Sequence, residues 1–334
     1  MVGAAGGAGQ GLPDWWNRAR GTIHPPHMRF LLPAGTRRRL LPRRLSRVLI
    51  VLSGGLLALW LAASFLGERI VLHPFRYGDG PTPAAYGMPY RDVAFRDPAG
   101  ITLRGWWIPG AGRGTVVMVH GWTSSRRETA GKSGYLHAAG YNVLVFDLRG
   151  HGTSGGSYTT LGDREPADVR AAVTEALALA PGKPVALIGY SMGASTAVEE
   201  AASDPRVAAV VEDSGFAYLS DAVSAYVSQH IGGLPAWPLD AATVLIGQAD
   251  VRVNIWQVRP VDAAARLRVP LLAIIGTADK TVPPIDGFEL YRAVRSPKQL
   301  LVFPGAGHVG GYQTDRPRYM AAVLAFLDRS LTPA

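Results

Sequence analysis

No cysteine occurs among the 334 residues. That absence removes disulfides, cysteine-ligated zinc and thiol nucleophiles together, so covalent chemistry has to use another side chain. The chain also lacks a G-x-x-x-x-G-K-S/T string to cradle a nucleotide phosphate, and it has no histidine cluster at metal-ligand spacing. Acidic residues are scarce in one place. Residues 1–47 hold nine arginines against a single acidic residue, Asp14, whereas the rest of the chain has 25 basic and 24 acidic residues. The net charge of +9 therefore lies almost wholly at one end. A nucleic-acid binder should carry its basic patch on the folded domain, so no nucleic-acid partner is expected.

The arginines precede residues 48–66, nineteen residues without a charge. At 1.5 Å rise per residue such a helix just crosses the hydrocarbon layer of a bilayer. Arg37, Arg38, Arg39, Arg43, Arg44 and Arg47 stand directly before it, and only Arg69 and Arg76 follow closely. The positive-inside rule then places the N-terminus in the cytoplasm and the rest of the chain across the membrane. Two other readings remain open: a secretory signal cleaved near Ala62-Ala63-Ser64, which gives a secreted protein, and a buried core helix. Residues 1–47 are expected to be a basic, partly disordered segment. Residues 67–90, with Pro74, Pro81, Pro83 and Pro89, are expected to be an extended spacer.

Beyond the spacer, four short strings each close a run of β-branched and aliphatic residues. They are His120-Gly121-Trp122, Gly189-Tyr190-Ser191-Met192-Gly193, Gly276-Thr277-Ala278-Asp279 and Gly305-Ala306-Gly307-His308. Each should sit at the C-terminal end of a strand, where open α/β sheets keep their chemistry. A lone G-x-S-x-G is weak evidence in a chain with 40 glycines, so its context decides. Pro184-Val185-Ala186-Leu187-Ile188 before it reads as a strand. The helix formers from Ala194 to Ala202 after it are stopped by Asp204-Pro205. Strand, tight turn and helix are what a nucleophile elbow needs.

A serine hydroxyl needs a base within reach and an acid to orient that base. His308 is the candidate base. His120 and His151 are rivals given structural roles, since neither follows a candidate acid. Asp279 is the favoured acid because it ends the strand before the histidine strand, and Asp213, one strand earlier, remains the alternative. The backbone N–H groups of Met192 and Trp122 are the candidate donors to an oxyanion.

The order Ser, Asp, His resembles that of the α/β-hydrolase superfamily over residues 91–330. The run from Asp147 to Gly156 (Asp-Leu-Arg-Gly-His-Gly-Thr-Ser-Gly-Gly) and Gly305-Ala306-Gly307-His308 are similar to the serine-aminopeptidase-like and prolyl-oligopeptidase-like branch. The resemblance implies hydrolysis through an acyl-enzyme, with no metal or organic cofactor, and it leaves the substrate open.

The remaining pattern fits that resemblance. A hairpin is expected over 91–109, followed by alternating strands and helices. They give an α/β fold with a mostly parallel eight-stranded sheet, helices on both faces and one catalytic domain over 91–334. About 50 residues separate the sixth and seventh strands, more than a crossover needs. A small helical cap is therefore expected at about 216–262, carrying Tyr218, Tyr226, Trp237 and Trp256. These rings suggest a small, apolar ester or acyl substrate, although packing within the cap explains them as well. The expected function is a membrane-anchored serine hydrolase of carboxylic esters. A peptidase or acyl-aminoacyl hydrolase of the same fold, and a catalytically silent binding protein, are the alternatives.

Overall fold

A computed structural model describes residues 42–78, 80–230 and 239–331. Contacts divide the chain into Met1–Gly54 and Gly55–Ala334. The described part of the first unit is helical, and the second carries everything that follows. The first helix, α1, spans Arg43–Leu72. It therefore runs six residues past the uncharged stretch 48–66, into the segment read from sequence as an extended spacer. Along its exposed surface lie Leu56, Leu59 and Leu66, each at least 60 % exposed. This is one long apolar helix near the N-terminus, of a length and composition that fit a membrane span.

The sheet has eight strands: β1 (Arg91–Arg96), β2 (Thr102–Ile108), β3 (Thr115–Val119), β4 (Asn142–Phe146), β5 (Val185–Tyr190), β6 (Val207–Asp213), β7 (Leu271–Gly276) and β8 (Lys298–Phe303). Their spatial order is β1-β2-β4-β3-β5-β6-β7-β8. The β1–β2 and β2–β4 pairs are antiparallel and all others parallel, as expected from the sequence. Parallel strands covered on both faces read as unbroken apolar runs, and every residue of β3, β4, β5 and β7 is buried.

Alternation along each strand feeds two cores. Val117, Val119, Leu144, Phe146 and Leu187 face one layer, with α4 (Glu165–Leu179) and α5 (Met192–Ser203) against them. Val116, Met118, Val143, Val145 and Ile188 face the other. That second layer is covered by α2 (Arg126–Lys132), α3 (Gly134–Ala138) and α11 (Arg316–Leu331). The stripe Tyr319, Val323, Phe326 and Leu327 on α11 has the spacing of one helix face. One helix expected near 125–139 is broken at Ser133 into α2 and α3.

Between β6 and β7 the chain forms α6 (Leu219–His230), α7 (Leu239–Val251) and α8 (Pro260–Ala264). The first two occupy the range expected for the cap. The third starts inside that range but belongs to the main core, with Ala263 and Ala264 buried in it. Trp237 lies outside the described residues. Two further helices, α9 (Pro284–Ala293) and α10 (Gly311–Thr314), complete the fold.

The run Asp147–Gly156 earns its place through a buried ion pair. The Arg149 guanidinium donates to Asp168 at 2.7 Å and to Asp97 at 2.8 Å, and all three side chains are almost wholly buried. Removing one partner of such a group strands the opposite charge in a medium that solvates it poorly. Arg149→Met is expected to lower unfolding free energy by about 3–5 kcal/mol in urea titration. A loss below about 1 kcal/mol, the ordinary range of a surface pair, would contradict this account.

Candidate active site

The strand order sets the site. The chain passes from β3 to β4 on one side and then returns to place β5 on the other side of β3. Such a reversal opens a crevice at the C-terminal strand ends, and the loops after β3 and β5 meet there. A Cβ built on Gly121 would stand 3.1 Å from Cβ of Ser191.

Ser191 joins β5 to α5 at φ 54° and ψ −124°, a left-handed conformation that is costly for a non-glycine residue. The turn is tight enough to exclude side chains on both flanks. A Cβ on Gly189 would lie 2.2 Å from the Gly193 carbonyl oxygen, and one on Gly193 would lie 2.4 Å from the carbonyl oxygens of His120 and Val119. Thr123, Ser214 and Val309 also have positive φ, so the loops surrounding Ser191 share its strain.

Two hydrogen bonds connect the expected residues. Ser191 Oγ lies 2.7 Å from Nε2 of His308, and Nδ1 of His308 lies 2.7 Å from Oδ2 of Asp279. With a neutral imidazole, the serine hydroxyl donates to Nε2 and Nδ1–H donates to the carboxylate. The other Asp279 oxygen accepts the backbone N–H groups of Thr281 at 2.9 Å and Val282 at 3.0 Å. Those bonds fix the carboxylate before the histidine meets it.

Asp213 is close by but turned away. Its carboxylate accepts the Tyr319 hydroxyl at 2.9 Å and the Ser214 hydroxyl at 3.1 Å, while its carbonyl oxygen accepts the Ser191 N–H at 2.9 Å. Complete burial raises its pKa. Ser214 Oγ also accepts the Val309 N–H at 3.1 Å, tying down the loop that carries His308. Neither Ser214 nor Tyr319 stood out in the sequence. Tyr319 reads there as one member of an apolar helix stripe, and a serine after a strand carries no local signal.

Met192 begins α5, where backbone N–H groups have no acceptor within the helix. Its amide and that of Trp122 are without a protein acceptor among the described residues. The Trp122 indole is occupied elsewhere, donating to the Val71 carbonyl at 2.8 Å. Its ring meets Tyr226 of α6 edge to face at 5.0 Å. Of the other cap aromatics, Tyr218 stacks under Arg259 and Trp256 is half exposed.

His120 and His151 support the loops. His120 Nδ1–H donates to the Gly121 carbonyl at 2.7 Å, and Nε2 accepts the Leu148 N–H at 3.0 Å. His151 donates to the Arg149 carbonyl at 2.9 Å, with its ring 5.0 Å from that of His120. Burial pushes both pKa values down to about 4, so both are neutral at pH 7. A depressed histidine pKa stabilises the fold above the unfolded value near 6.5 and loses that contribution as pH falls through about 4. Stability is expected to fall between pH 6.5 and 4, by on the order of 3 kcal/mol from His120. Urea unfolding of wild type and His120→Asn across that range tests this; equal pH slopes in both would refute it.

A pocket opens beside Ser191, and Met192, Trp122, Leu219, Val223 and Tyr226 are among its walls. Glu68, Val71, Leu72, Val244 and Val251 line it too. Among the described residues, Glu68, His73 and Asp250 bring potential metal-ligating atoms within 4.8 Å of one another. Asp250 is already paired with Arg69 at 3.2 Å.

The comparisons with known proteins agree with this architecture. The model of the alpha/beta hydrolase family matches residues 116–323. The chain is 29% identical over 287 residues to the Mycobacterium tuberculosis protein Rv2307c, covering 84% of this chain and 92% of that one. It is 30% identical over 242 residues to a monoacylglycerol lipase of Mycolicibacterium smegmatis, covering 60% of this chain and 84% of the lipase. The solved esterase Pf2001 of Pyrococcus furiosus superposes with a TM-score of 0.67 at 29% identity, over 78% of this chain and 99% of the esterase. The match across both flanks of the crevice, together with the shared fold, establishes that the chain belongs to the alpha/beta hydrolase family.

Proposed function

We propose that the protein is a serine hydrolase of carboxylic esters, anchored to a membrane by α1. The observation that carries the reading is the pair of 2.7 Å bonds from Ser191 through His308 to Asp279, at the base of a pocket with mostly apolar walls. His308 Nε2 takes the Ser191 proton as Oγ attacks the substrate carbonyl carbon. Asp279 holds the imidazole in the tautomer that leaves Nε2 free to accept, and it stabilises the imidazolium that forms. The negative charge gathering on the carbonyl oxygen meets the N–H groups of Met192 and Trp122, and the N-terminus of α5 favours it further. His308 returns its proton to the leaving alcohol, and an acyl-enzyme remains. Water, deprotonated by the same imidazole, attacks that ester and frees the acid and Ser191.

The apolar pocket supports an acyl group over a peptide chain, and for that reason ester hydrolysis is preferred to the peptidase activity of the branch that Asp147–Gly156 resembles. We assign residues 48–66 to the span and 91–334 to the catalytic domain. The arginines before the span support an orientation with the N-terminus in the cytoplasm and the catalytic domain across the membrane. The purified full chain, exposed to a fluorophosphonate and then to p-nitrophenyl esters and aminoacyl p-nitroanilides, is expected to label at Ser191 and to turn over the esters. Absence of labelling would favour a silent binding protein, and faster amide cleavage would favour the peptidase.

A further inference from the structure

The C-terminal end of α1 is built into the catalytic domain. The last carbonyls of a helix have no partner within it, and here the domain supplies them. The Trp122 indole donates to the Val71 carbonyl at 2.8 Å, and the Thr159 N–H donates to the Leu72 carbonyl at 2.8 Å. Immediately beyond, His73 donates to the Ser157 carbonyl at 2.8 Å and Arg76 to the Ser154 carbonyl at 2.9 Å. Residues 68 and 72, one helical turn apart, are buried on one face of α1. The cap helix α7 lies along that part of α1. A Cβ on Gly247 would come within 3.1 Å of Leu72 Cδ1, and one on Gly67 within 3.5 Å of Thr243 Oγ1. Leu245, on the same cap helix, is 63 % exposed.

Val71 and Leu72 line the same pocket as Ser191 and Met192. Val71 lies about 7.5 Å along the helix axis from Leu66, the last residue of the uncharged stretch. Phe65, Leu66 and Ile70 are exposed apolar side chains on this stretch, while Glu68 and Leu72 face the domain. An acyl chain leaving the hydrocarbon layer beside α1 would thus have little more than one helical turn to travel, past Arg69, before it met the apolar pocket walls Val71 and Leu72, among which Glu68 is the charged exception.

We propose that the last turns of α1 are one wall of the acyl site, and that the substrate is a long-chain acyl ester drawn into it from the bilayer. This inference rests on the proposed serine-hydrolase reading and assigns that site its substrate class. Val71 is a specificity-determining residue, because its side chain limits the room available to the acyl chain. Its partly buried position makes it replaceable without emptying the core.

The test uses the full chain in phosphatidylcholine vesicles with p-nitrophenyl acetate and p-nitrophenyl palmitate. Wild type is expected to favour palmitate in kcat/KM. Val71→Trp is expected to lower the palmitate-to-acetate ratio at least tenfold, whereas Val71→Ala keeps or raises it. Gly247→Leu, which adds a side chain at a second pocket-lining position beside Leu72, is expected to lower the ratio as well. Fluorophosphonate labelling of Ser191 runs in parallel. A labelled enzyme that prefers acetate, or whose ratio is the same in all variants, overturns the acyl wall and leaves the hydrolase reading standing. An unlabelled wild type overturns both.

Discussion

Ser191→Ala is expected to lower ester kcat by about 10⁴- to 10⁶-fold, equivalent to about 5–8 kcal/mol of barrier at 1.36 kcal/mol per tenfold. The substitution removes one oxygen from a turn whose backbone and packing are otherwise unchanged, so the melting temperature should move little. A residual rate above that of water is expected, since the Met192 and Trp122 N–H groups still polarise a bound carbonyl. Steady-state hydrolysis of a p-nitrophenyl ester, with circular dichroism for folding, provides the measurement. Activity within tenfold of wild type would mean that Ser191 is not the nucleophile, whatever its distance from His308.

The second large effect separates the two candidate acids. Asp279→Asn is expected to cost about 10³- to 10⁴-fold in kcat, because an amide in that position can favour the wrong histidine tautomer while preserving the fold. The Thr281 and Val282 N–H groups can still bond the amide oxygen, which leaves the NH₂ group facing Nδ1. Asp213→Asn should leave activity within about tenfold, since its carboxylate is engaged by Tyr319 and Ser214 and does not touch His308. Its effect should appear in stability, through the buried bonds to those two hydroxyls. Side-by-side kinetics and thermal melts of the two variants decide the matter. A dead Asp213→Asn beside an active Asp279→Asn would move the orienting role to the earlier strand.

The acid question shows how far a one-dimensional reading reaches. Both aspartates end strands, and both precede His308 in the chain. What separates them is carboxylate direction, which depends on Tyr319, 106 residues away from Asp213 in sequence. No local pattern encodes a bond over that distance. Helix breaks were legible only in part for a related reason. In the segment 125–139 Gly131 and Gly134 flank the break at Ser133, and the helices on either side of it, α2 and α3, both pack against β4.

The elbow was legible because its constraints are local. Strand-forming residues stop at Gly189, two glycines admit a backbone approach of about 2 Å to a would-be Cβ, and helix formers follow. The parallel sheet was legible because strands buried on both faces must be apolar throughout. The long apolar helix was legible from its lack of charge, but its end was not. Residues 67–72 are helical and tied to the α/β fold because the loop residues Trp122 and Thr159 satisfy the terminal carbonyls of the helix.

From the chain alone came the alternating strand and helix pattern, the sharp turn at Ser191, the candidate base and the charge-free helix after a basic segment. All of these follow from periodicity, side-chain size and charge within a few neighbouring residues. Tertiary structure decided which carboxylate faces His308, which aromatic of the cap reaches the crevice, and that the end of α1 borders the pocket. Each of these is a contact between segments distant in the chain, fixed by the order of strands around β3 and by hydrogen-bonding groups that only the assembled fold brings within reach.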